Sequence, residues 1–266
     1  MAFSNKMLVT TKPSAQNSQP HILERFSNPL DCLTAHLMME CSEVLAGVKP
    51  ANLISLVNRT RSCGRNLYQL WQHHREGLTA RFPDLTIRVL QTRERALLLL
   101  CYNHEHLERH LSHAGIRALL HKAGYETDAP CDSLLDELCR RVGVNDSFPH
   151  EIGLFIGYPA KDVAAFMGFV NLPFACQGPW KIYGDPTKSL SLADEYRCSR
   201  AVMESQLAGC NSLFDCLDSI CVSGKHFFVL LMIRNVISKS RRAYEQRTDR
   251  GVNQNHYNHG TVRKFA

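Results

Sequence analysis

The chain has 266 residues, 44% of them apolar and 21% charged, with a formal net charge of +6 and no internal repeat. A globular chain of this composition can bury enough apolar surface to fold without disulfide or metal staples. The charge is divided unevenly: Lys225 to Ala266 hold nine Lys or Arg against two acids, a net of +7, whereas the first 224 residues hold 22 basic and 23 acidic residues, a net of −1.

Residues 1–28 are polar and rich in turn formers, and are expected to form a poorly ordered tail. They lack the continuous apolar stretch of a signal peptide. The longest apolar run in the chain, Phe227 to Ile233, is closed by Arg234 and Asn235 and is too short to cross a bilayer. A cytoplasmic protein is the expectation. The eleven cysteines fit it, being odd in number, irregularly spaced and without a C-x-x-C pair, so they are expected as reduced, largely buried thiols.

A helix is predicted after Asn28-Pro29, where Leu30, Leu33, Leu37 and Met38 recur at helical spacing and Asp31 sits in the first turn. Gly47 and Pro50 end that pattern. Leu53, Leu56 and Val57 then suggest a second helix from about Ala51. Thr86 to Leu90 and Ala96 to Tyr102 are strands joined by the polar loop Gln91–Arg95, and the four consecutive leucines, Leu97 to Leu100, suit a strand covered on both faces. Asn103 reads as the N-cap of a helix reaching about Lys122 before Gly124. A further helix fits Ser133 to Val142. Phe148 to Phe169 reads as helix, tight turn at Gly157-Tyr158-Pro159, and helix. Trp180 to Tyr183, between turn residues, is a third strand, and a long helix follows from about Leu190 to Leu207. The resulting fold class is α+β: a small antiparallel sheet of about three strands packed with helices that include a helical hairpin. Three parts are predicted: the tail 1–28, an α+β domain 29–210, and a helical, basic extension 211–266.

Three segments carry a family resemblance: Cys41 to Leu56 (CSEVLAGVKPANLISL), Phe148 to Phe166 (FPHEIGLFIGYPAKDVAAF) and Gly178 to Arg200 (GPWKIYGDPTKSLSLADEYRCSR). In this order they resemble the bacterial domain of unknown function family 3793, over roughly residues 30–210. His150-Glu151-Ile152-Gly153 followed by Gly157-Tyr158-Pro159 is the most specific part. The chain departs from the family near Cys41, where Ser42-Glu43 stand in place of small residues and proline. The resemblance implies domain limits and no activity, cofactor or substrate.

Several groups of residues are candidates for chemistry. His150-Glu151 has the form of an acid–base pair, although Pro149 and Glu151 equally suit the first turn of a helix. Segment 150–167 has helix-turn-helix spacing. Its would-be reading face, Ala160, Lys161, Asp162, Ala164 and Ala165, offers only Lys161 to a base edge, which favours a packing hairpin. His106, His110 and His113 fall on one helical stripe, a pattern that suits a metal or haem ligand and equally a solvated edge. Cys210, Cys216, Cys221 and His226 match no common zinc spacing. Lys49 and Asn52 beside Gly47, with Trp180 and Tyr183 and the His150–Tyr158 turn, combine aromatics with a few polar groups as small-molecule pockets do. The basic stretch 225–250, behind an apolar run, suits a docked helix with a solvated end, an anionic membrane surface or a nucleic-acid arm.

The reading that follows is a small-ligand-binding or protein-interaction domain without recognisable catalytic machinery. Its alternatives are a nucleic-acid-associated protein using segment 150–167 and the tail, and a metal- or haem-binding protein.

Overall fold

The computed structural model describes residues 25–78, 80–126, 128–144, 148–210, 212–213 and 216. Predictions that fall on residues 1–24 or 217–266, including Cys221, His226 and the basic tail, lie outside the described residues.

Helix α1, Pro29–Glu40, begins where the sequence signals it: Asn28 Oδ1 accepts from the amides of Leu30 at 2.9 Å and Asp31 at 3.3 Å. The chain before it is already packed. Phe26 is buried, and Arg25 donates to the carbonyls of Ala208 and Cys210. A short α2, Ser42–Leu45, follows. Next comes β1, Ala51–Val57, where a helix is predicted. Leu53, Leu56 and Val57 fit a helical face and a strand alike. The seven-residue antiparallel ladder with the strand 96–102 decides for the strand.

Helix α3 spans Leu67–His74 and runs into a 3₁₀ turn, Arg75–Leu78. The strands β2, Thr86–Arg93, and β3, Ala96–Tyr102, form the expected hairpin, but the ladder continues to Arg93 and leaves only Glu94-Arg95 at its tip. Strand order is β1-β3-β2, so β3 is central. The predicted helix from Asn103 is two helices, α4 at His104–Leu111 and α5 at Ala114–Lys122, with Asn103 capping the first at 2.8 Å. Then come α6, Cys131–Val144, α7, Ile152–Phe155, and α8, Ala160–Phe166. The predicted third strand pairs elsewhere: β4, Phe174–Gln177, and β5, Lys181–Tyr183, make a separate two-stranded ribbon. The long helix is α9, Thr187–Gly209.

Helices lie on both faces of the three-stranded sheet. Leu97, Leu99 and Cys101 join a core with α1, α3 and the end of α9, including Leu33, Leu37, Trp71, Met203 and Leu207. Leu98, Leu100 and Tyr102 face the opposite core, built from α4–α8 around Leu107, Leu138 and Phe155. At about 1.5–3 kcal/mol for each fully buried large apolar side chain, this two-sided burial makes β3 the centre of the fold. Cys210 and Cys216 form a disulfide rather than the expected pair of free thiols. Among the described residues no helix is long and apolar enough to cross a membrane.

Candidate functional site

The end of α1 and the start of β1 are brought together by a reversal at Gly47. The amides of Val48 and Lys49 both donate to Glu43 O, at 3.0 and 3.1 Å, and fix Lys49 at the entrance to β1. Its side chain is buried, at 5% exposure, and Nζ donates to Asn52 Oδ1 at 2.7 Å. Asn52 Nδ2 in turn donates to Glu40 O and to Glu43 Oε2, the latter at 3.4 Å. Lys49 Nζ lies 5.5 Å from the ring centre of Tyr158 and 5.0 Å from that of Tyr196. Such rings attract a cation through their electron-rich faces.

Among the described residues no carboxylate forms an ion pair with Lys49. Glu40 is taken by Arg200 at 3.1 Å, and Glu43 accepts from Ser42 Oγ at 3.2 Å. Burial lowers the pKa of the Lys49 amine, with Glu43 opposing, and burial pushes the Tyr158 hydroxyl up to about 12. Behind this group the Cys41 thiol is fully buried, its pKa raised well above the ordinary range by burial and by the neighbouring Cys101 thiol.

The wall of the site is aromatic. Tyr158 stacks on Trp180 with centroids 4.6 Å apart, Trp180 meets Tyr196 edge-on at 6.1 Å, and Tyr196 Oη donates to Gly157 O at 3.1 Å. Gly157 has φ +78°, and a Cβ there would lie 2.6 Å from Pro50 Cδ. Only glycine permits this turn to close against the start of β1. Trp180 is held by Asp162, 1% exposed, whose Oδ2 accepts from Trp180 Nε1 at 2.8 Å and Ser189 Oγ at 2.6 Å. Its Oδ1 accepts from Tyr183 N at 2.9 Å and Lys161 Nζ at 2.7 Å. One carboxylate thereby joins α8, β5 and α9.

Of the predicted pocket residues, Lys49, Asn52, Tyr158 and Trp180 converge. Tyr183 reaches the group through its backbone, its ring lying against Phe174. His150 and Glu151 point elsewhere. Glu151 is buried against Arg141 at 3.0 Å and accepts from Tyr125 Oη at 3.3 Å, while Arg141 also binds the carbonyls of Ala123 and Gly124. The His150 ring meets Phe166 edge-on at 4.8 Å, and its buried Nδ1 has no partner among the described residues. Two open grooves flank Arg140, one of about 540 Å³ along Tyr125, Ser133 and Glu137, the other of about 390 Å³ along Phe148, His150 and Met167.

The other candidates separate. His110 Nε2 is hydrogen-bonded to Leu154 O at 2.8 Å, while His113 stands at the break between α4 and α5. Burial lowers the pKa of both His106 and His110. Among the described residues no cluster of three or more His, Cys, Asp or Glu is placed to hold a metal. In the hairpin of α7 and α8, Asp162 and Ala164 are buried, and Lys161 donates to Asp162 and Tyr183 O, so the face that would read bases is packed inward. Sequence reasoning missed Tyr196, Glu43 and Asp162. Tyr196 left a weak trace as a lone aromatic in a polar stretch of α9; the two acids left none.

Residues 37–217 match a family described as a protein of unknown function, DUF3793. The chain belongs to that family. No curated protein and no solved structure matches this DUF3793 chain. The Lys49 group lies within the matched span, as do α1 from Leu37 onward and both sheets.

Proposed function

We propose that this DUF3793 protein binds a small ligand bearing an acceptor oxygen, a carboxylate or a carbonyl, at Lys49. The observation that carries this reading is the setting of the lysine. Its amine is buried between Tyr158 and Tyr196, held by Asn52, and left without an ion-pair partner among the described residues. Glu43 acts on the ammonium only from beyond ion-pair distance and burial outweighs it, so the amine sits in a costly setting without a direct charged partner. An incoming acceptor oxygen supplies the missing partner, beside the rings of Tyr158 and Tyr196 that already flank the amine.

Native mass spectrometry of the purified protein and of K49M tests this. The wild type is expected to carry a non-covalent mass that mild activation releases and that K49M lacks. Identical bare spectra for both proteins would overturn the reading.

A further inference from the structure

One strongly charged surface lies away from the lysine group, at the end of the three-stranded sheet where β1 leaves it. Arg59, Arg61 and Arg65 lie on the loop after β1, and Arg93 and Arg95 at the β2–β3 tip. Glu94 is the one acid among these residues, so five arginines give a net of +4. Twenty-seven residues separate the two groups in sequence, and Asn58 joins them in the fold. Its amide donates to Arg95 O at 2.9 Å, its Nδ2 to Glu94 O at 3.1 Å, and its Oδ1 accepts from Asn66 Nδ2 at 2.7 Å. The loop is closed on itself by Arg61 N to Arg65 O at 2.8 Å and Gly64 N to Arg61 O at 3.0 Å. Arg59, Arg93 and Arg95 are exposed. Among the described residues none of these three, nor Arg61, has a side-chain hydrogen bond or ion pair, unlike Arg81, Arg88, Arg140 and Arg200, which are all paired. Arg65 is tied back towards Ser27 O.

We propose that Arg59, Arg61, Arg93 and Arg95 form a binding surface for the phosphate backbone of a nucleic acid. Guanidinium forks fit phosphate oxygens two at a time, and the patch is made of arginine throughout, with no lysine. Strands lie about 4.8 Å apart, so β1 to β2 across β3 spans about 10 Å, room for about three phosphates of one strand at about 3.4 Å of axis each. A bilayer surface would call for apolar side chains to insert, and Val57 is the one large exposed apolar residue beside these loops. The Asn58 and Asn66 side-chain amides in the patch are engaged with each other, and the remaining charge is four arginines against Glu94, which favours contacts to the phosphate backbone.

Fluorescence anisotropy of labelled 20-nucleotide single strands and 20-base-pair duplexes with the full chain tests this, with salt varied from 50 to 200 mM. The variant R59Q/R61Q/R93Q/R95Q is expected to flatten the slope of log K against log salt on duplex by about 3, at about 0.9 for each of about three lost phosphate contacts. R93Q/R95Q, confined to the exposed tip, should flatten it by about half as much, and R59K/R61K/R93K/R95K should keep it. Unchanged affinity and slope in the glutamine variants would overturn the proposal. So would binding lost only in a tail variant, R241Q/R242Q/R247Q/R250Q, or a loss confined to phosphatidylserine vesicles.

Discussion

Replacing Asp162 by alanine removes one side chain and strands four donors. Trp180 Nε1, Ser189 Oγ, Tyr183 N and Lys161 Nζ all converge on its two oxygens within 2.9 Å. A hydrogen bond to a charged group contributes about 1.5–3 kcal/mol, but four such contacts do not add, because freed donors recover some water. Lys161, about a third exposed on its side chain, recovers the most. Removing one member of a buried charged network costs about 3–5 kcal/mol, and we expect about 4 kcal/mol for D162A. At about 2–4 °C per kcal/mol in a domain of this size, Tm should fall by about 8–16 °C. Urea unfolding followed by far-ultraviolet circular dichroism gives the free energy, and near-ultraviolet dichroism follows the packing of Trp180. D162N, which turns an amide towards one pair of donors, should lie between D162A and the wild type. Burial alone would raise this carboxyl's pKa; the hydrogen bonds from Lys161, Ser189, Tyr183 and Trp180 outweigh it and hold the group below its ordinary value. Its stabilisation is therefore complete above the ordinary carboxylate range and is lost as pH falls through the lowered value. A loss under about 1 kcal/mol for D162A would refute the reasoning that this carboxylate ties three elements together.

Two further outcomes follow from the same packing. G157A should cost more than about 2 kcal/mol, because a Cβ meets Pro50 at 2.6 Å on a left-handed backbone; G64A, also left-handed at φ +77° but with nothing within 4 Å, should cost only about 1 kcal/mol, and equal losses in urea unfolding would contradict the close approach. Burial lowers the pKa of Lys49, so between the lowered value and the ordinary lysine value the unfolded chain holds a proton that the folded chain does not. Stability from this group therefore rises with pH through that window, and K49M should be relatively more stable at neutral pH than at alkaline pH; a constant difference would contradict it.

The strands of the hairpin and the cap residues were legible in the sequence because they depend on neighbours. Asn28 and Asn103 each bond amides two or three positions on, and Leu97 to Leu100 can be accommodated only where both faces are covered. Ala51–Val57 was not legible, since a seven-residue segment whose apolar residues are broken by Asn52 and Ser55 carries both periodicities and only its partner strand, 39 to 51 positions later, chooses between them. The break between α4 and α5 has no glycine or proline to mark it. Four of the seven predicted pocket residues converge because turn glycines and aromatics leave a local signal. The partners that complete the group come from far along the chain, Tyr196 meeting Lys49 across 147 positions. The arginine surface lay in plain view as two short runs, but nothing short of the ladder registers shows that they share one end of the sheet.

The placement of Met203, Leu207 and Cys216 under the first face of the sheet has a consequence for how the protein is made. Phe26, α1, α3 and the strands all leave the ribosome well before the residues that close their side of the core. A growing chain of 150 residues already holds all three strands of the sheet, yet one layer stays unsealed until α9 is complete. Arg25, bonded to carbonyls more than 180 positions away, is then fastened by some of the last described residues to emerge.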